Sequence, residues 1–81
     1  MSTMATYQNK THNPEATRKL TSRQKQCLQR VATGATVHMI AKQLGITERM
    51  VRGHLHNTRK RLEAHSTAEA IYIALKMDIL E

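Results

Sequence analysis

From Leu20 onward the apolar residues recur at helical spacing, and no stretch alternates with period two, so the pattern predicts helices and no strand. Thr21 is placed as an N-cap with Gln24 three residues on, a capping-box pair. The first helix then carries Cys27, Leu28, Val31 and Ala32 on one side, and Gly34 ends it. A second helix is expected from Thr36 to about Leu44, with Val37, Ile40, Ala41 and Leu44 on one face and Gly45 as the stop. Thr47 caps a third, in which Val51, Leu55, Thr58 and Leu62 line one face, and Ile46 and Val51 are spaced as a hydrophobic staple. A fourth opens at Ser66 with Glu69 completing a capping box and runs through Ile79. Residues 1–19 are polar and without period, and Asn13-Pro14 reads as a turn. They are expected to form a flexible arm ahead of one domain at residues 20–81. The predicted class is all-α, a four-helix bundle.

The fourth helix has two apolar lines. Ile71, Leu75 and Asp78/Ile79 form one, and Ala70, Ile73, Ala74 and Met77 form the other. One must pack on the body, and the other then calls for a partner surface. Ala70 and Ala74 are small and four apart, so Ala70, Ile73, Ala74 and Met77 are the expected dimerisation residues.

Charge adds a second surface. The 81 residues carry +7, with 13 Lys+Arg against 6 Asp+Glu. Nine of the basic side chains fall in residues 20–64, where only Glu48 and Glu63 oppose them. Such concentration is the footprint of a polyanion binder, although a basic solvated surface would look the same. The second and third helices are joined by Leu44-Gly45-Ile46-Thr47, a short turn leading into a helix dense in arginine. That is the layout of a helix-turn-helix, whose second helix fits the major groove. With Val51 pointing to the core, Arg49, Gly53, His56 and Lys60 point roughly 140–200° away, at about 100° per residue, and Arg52 sits on the flank.

Several spaced segments match one known pattern together. They are Leu20-Thr21-Ser22-Arg23-Gln24, Ala32-Thr33-Gly34, the run from Ile40 through Thr47, the run from Val51 through Asn57, Arg61-Leu62, and Ser66-Thr67-Ala68-Glu69-Ala70-Ile71 with Ala74 and Ile79-Leu80. Over roughly residues 20–80 the chain resembles the LuxR/GerE-type DNA-binding domain. The resemblance implies four helices, recognition of DNA by the third and dimerisation through the fourth. It assigns base reading to Arg52, Gly53 and His56. Arg49 and Lys60 suit phosphates, as do Thr36, His38 and Thr47 at the two helix N-termini, where free N–H groups and the dipole favour an anion. Thr36 and Thr47 equally serve as plain caps. Arg59 and Arg61 read as surface charges, and His54 as a packed residue. Gln24 and Met39 stand where Glu is usual, and Met50 where Thr is common. Most relatives carry a sensor domain ahead of this module; a short arm implies a chain with none of its own.

Enzymatic chemistry finds no support. Cys27 lies on an apolar face, His54 and His56 lie on different helix faces, and no paired carboxylates, phosphate loop or Ser-His-acid set occurs. No cofactor and no metal site is expected. The longest apolar run, residues 70–75, is too short for a membrane span, and the N-terminus has no leader-like apolar stretch, so a cytoplasmic, nucleoid-associated setting is expected. The expected function is a dimeric, sequence-specific regulator of transcription on double-stranded DNA, with a LuxR-type protein or RNA polymerase as the further partner class. The alternative is a small anti-activator that inhibits a LuxR-type relative through mixed dimers. A sigma-factor-like promoter-binding helix-turn-helix shares the layout, but the apolar fourth helix favours the LuxR/GerE type.

Overall fold

The computed structural model describes residues 20–80; the expected arm, residues 1–19, lies outside them, as does Glu81. The described residues form four helices and no strand: α1 (Ser22–Ala32), α2 (Val37–Leu44), α3 (Glu48–Arg61) and α4 (Thr67–Lys76). All four begin where the capping residues predict. The hydroxyls of Thr21, Thr36, Thr47 and Ser66 each accept the backbone N–H three residues on. At Thr21 the box is reciprocal, with the Gln24 side chain accepting the Thr21 N–H at 3.0 Å. Each cap of this kind contributes about 1 kcal/mol.

α3 runs through the middle and packs against α1, α2 and α4. Leu28, Ile40 and Val51 are fully buried, with Cys27 and Thr58 beside them. Burying a side chain such as Leu28 stabilises the fold by roughly 1.5–3 kcal/mol. Thr58 is tolerated there because its hydroxyl donates to the His54 carbonyl at 2.7 Å. Among the described residues no buried side-chain polar atom lacks a hydrogen-bond partner. Burial raises the pKa of the Cys27 thiol against the opposing pull of Arg23 and Arg30, as suits a core residue.

The turn between α2 and α3 depends on Gly45, at φ 69°, a left-handed conformation that costs other residues. Ile46 then donates its N–H to the Ala41 carbonyl at 3.0 Å and packs against the core. α3 and α4 end differently. The N–H groups of Glu63 and Ala64 bond the carbonyls of Lys60 and Arg59, with Glu63 at φ 57°. Those of Asp78 and Ile79 bond Leu75 and Ala74, with Asp78 at φ 60°. Both are Schellman turns with an acid at the position that usually holds Gly.

Two expectations about the last helix are corrected. It stops at Lys76 and does not continue through Ile79, because the turn at Asp78 folds the chain back and buries Leu80 in the core. Ala70 and Ala74 are 0% exposed and form the seam of α4 against the body, so they are not available to a second chain. Small side chains there let α4 lie close to the bundle. Ile73 and Met77 are half-buried flanks of that seam. The outward apolar groups are Tyr72, 61% exposed, and Leu75, 48% exposed.

Candidate nucleic-acid interface

The N-terminal turns of α2 and α3 are joined by side chains across the helix-turn-helix. His38 Nδ1 and Glu48 Oε2 are 2.8 Å apart, and the other Glu48 oxygen accepts from Arg52 Nη2 at 3.3 Å. An ionised carboxylate only accepts, so the His38 ring nitrogen carries the hydrogen in this contact. The hydrogen bond from His38, and then the charges of His38 and Arg52, hold the Glu48 carboxyl below the usual glutamate range. All three groups remain open to water, with side-chain exposures of 67% for His38 and 64% for Arg52.

The expected contact residues are all accessible. Arg49, Arg52, Gly53, His56 and Lys60 are all exposed on α3, as are Thr36, His38 and Thr47 at the turns that lead into α2 and α3. Gly53 has open space where a Cβ would stand, so nothing within the protein requires a glycine there. The Thr36 and Thr47 hydroxyls are engaged as caps, accepting the N–H of Met39 at 3.2 Å and of Met50 at 3.0 Å. Met39 and Met50 are themselves 45% and 47% exposed. His54 is half-buried on the flank, in line with a packing role.

Sequence reasoning misses two residues of consequence. Glu48 figures there only as an opposing charge, yet its carboxylate engages two of the expected contact residues at once; the i, i+4 spacing of Glu48 and Arg52 is the available signal. Arg59 reads as a surface charge, yet its Nη1 donates to Thr67 Oγ1 at 3.0 Å and ties α3 to α4. Arg30 Nε donates to Gln43 Oε1 at 2.9 Å and ties α1 to α2. The candidate interface is thus a basic helix surface whose N-terminal end is braced from its predecessor and whose C-terminal end is braced from its successor.

Residues 18–74 match the family model described as bacterial regulatory proteins, luxR family. The chain is also similar, at 38% identity over 60 residues, to the "Uncharacterized response regulatory protein YgeK" of Escherichia coli strain K12. That match covers 74% of this chain and 41% of the relative, so it spans about two fifths of the longer protein. With four helices, a helix-turn-helix at their centre and a family match across most of its length, the chain belongs to the luxR family of bacterial regulatory proteins, a family of DNA-binding domains rather than of enzymes.

Proposed function

We propose that this chain regulates transcription by binding specific sites in double-stranded DNA as a homodimer. The observation that carries the reading is the continuous exposed strip of Arg49, Arg52, Gly53, His56 and Lys60 on α3, directly after the turn at Gly45. α3 lies in the major groove in this reading. Arg52 and His56 address base edges, and Gly53 lets the helix backbone approach the bases. Arg49 and Lys60 neutralise phosphates, together with Thr36, His38 and Thr47 at the entrances to α2 and α3. The division into a contact domain at residues 20–81 and an N-terminal arm is part of the proposal.

Self-association uses the outward side of α4. Tyr72 and Leu75 are the exposed apolar groups, with the half-buried Ile73 and Met77 beside them. The Lys76 ammonium nitrogen lies over the Tyr72 ring, 5.7 Å from its centroid. A two-fold contact there would set two α3 helices on successive major-groove faces of an inverted repeat. The same surface supports the second reading, a mixed dimer with a LuxR-type relative that withdraws it from its promoter. RNA polymerase is a further candidate partner at a promoter. No helix of the described residues is long and apolar enough to cross a membrane. A cytoplasmic setting on the nucleoid fits the reading.

Selection of sites from a random duplex pool, followed by binding isotherms over a range of salt, tests the proposal. Enrichment of an inverted repeat, bound by two chains with a steep salt dependence, is expected. Enrichment of no site, with binding only to a LuxR-type protein, would replace this reading with the mixed-dimer one.

A further inference from the structure

We propose that Glu48 is the positioning residue of the DNA contact, fixing Arg52 for base reading while weakening attachment to DNA of any sequence. The inference rests on the DNA-binding reading of α3 and deepens it.

Glu48 is the one acid on the strip's own helix, Glu48–Arg61, and it stands in the first turn. An acid there is favourable to the helix dipole, by about 0.3–1 kcal/mol at an exposed site. That effect requires neither of its partners. The geometry goes further, since the two oxygens are used separately: one meets His38 at 2.8 Å, from the first turn of α2, and the other meets Arg52 at 3.3 Å, one turn along α3. Arg52 alone is a long side chain with rotamer freedom to lose on binding. A guanidinium already held from one side loses less when its remaining N–H groups meet a guanine edge. The His38 contact anchors the carboxylate from a second helix, so the Arg52 position is referred to the helix-turn-helix as a whole.

The same carboxylate lies among groups suited to phosphates. Its charge opposes the polyanion regardless of sequence, whereas its hold on Arg52 favours only duplexes that present the right base at the right place. A specific binder gains from such a device because preference is a difference of two affinities.

Two variants separate the effects. Glu48→Gln removes the charge and leaves one acceptor oxygen in place of two. Glu48→Asp keeps the charge on a stem one methylene shorter, too short to hold both partners at these distances. Each is compared with the parent chain on the selected operator and on a scrambled duplex of equal length, with thermal unfolding by circular dichroism as the fold check. Glu48→Gln is expected to tighten binding to the scrambled duplex about twofold or more and to cut the operator-to-scrambled ratio about fivefold. Glu48→Asp is expected to cut that ratio without tightening the scrambled duplex. In an Arg52→Ala background neither change should alter the ratio further. An equal rise on both duplexes with Glu48→Gln, or an unchanged ratio with Glu48→Asp, would reduce Glu48 to a surface charge and overturn the proposal while leaving the DNA reading intact. A parent chain that does not distinguish the two duplexes would overturn both.

Discussion

Arg59 and Thr67, eight residues apart in the chain, meet at 3.0 Å and join α3 to the first turn of α4. The contact carries the orientation of the proposed reading helix to the proposed association helix. It is partly buried, so each partner loses water when it forms. Thr67→Val removes the acceptor at nearly constant shape and should destabilise the fold by about 0.5–1.5 kcal/mol in urea unfolding. Because Arg59 faces α4, Arg59→Ala should alter the salt dependence of DNA binding less than Lys60→Ala does.

Lys60 and Arg52, two of the exposed cations on α3, should part company by their chemistry. Lys60→Ala should weaken binding to every sequence alike and flatten the plot of log K against log salt by about 0.9, the share of one phosphate that is no longer neutralised. Arg52→Ala should cost about 1–3 kcal/mol on the operator and relax preference at one base pair. Fluorescence anisotropy with operator variants separates the two. Intact affinity and preference in Arg52→Ala would displace the reading face from this side of α3.

Burial on α4 makes opposite forecasts for neighbouring positions. Leu75 is 48% exposed and Ala74 is 0% exposed. Leu75→Glu should leave helix content and unfolding nearly unchanged while removing self-association and tight operator binding. Ala74→Glu should unfold the chain, because it forces a charge and added volume into a closed seam. Sedimentation velocity together with circular dichroism checks both outcomes.

Glu63 occupies a left-handed conformation at φ 57° with its side chain exposed. Such a conformation costs an ordinary residue about 1–2 kcal/mol, part of which glycine gives back as extra freedom in the unfolded chain. Glu63→Gly should therefore stabilise by about 0.5–1 kcal/mol, read as a rise in the urea midpoint at an unchanged slope.

Glu48 sets a pH dependence. Its carboxyl is held down in the folded chain, first by the His38 hydrogen bond and then by the charges around it. A lowered folded pKa gives stability that is present above the ordinary glutamate value and is lost as pH falls through the lowered one. The brace should open on acidification below the usual glutamate range. In an NMR titration of the Glu48 carboxyl, His38→Ala should move the midpoint upward toward the ordinary value. An unmoved midpoint would mean that His38 does not hold the carboxylate in solution.

Much of the architecture is legible in the order of residues because it rests on local chemistry. The caps at Thr21, Thr36, Thr47 and Ser66 act within one turn, and the glycine at the α2–α3 turn answers to its own backbone. The period of Val51, Leu55, Thr58 and Leu62 sets the buried face of α3 and thereby the exposed one, so the candidate contact strip follows from the same spacing. Family membership is legible for the same reason, as many such local signals agree in spacing.

Other features depend on how the helices cross. α4 is apolar on more than one side, and periodicity cannot say which side meets the bundle. The choice of Ala70 and Ala74 follows from the close approach of α4 to α1 and α3, which only small side chains permit. That choice turns Tyr72 and Leu75 outward. The stop at Asp78 is likewise tertiary, since the backbone accepts a left-handed acid there so that Leu80 can return to the core. The pairing of His38 with Glu48 needs the Gly45 turn to bring two helix starts together, so that the side chains meet at 2.8 Å. Sequence by itself determined what each helix is and where it begins. Tertiary structure decided which faces meet, because a contact between residues far apart in the chain depends on the packing of whole helices and not on the propensity of either residue.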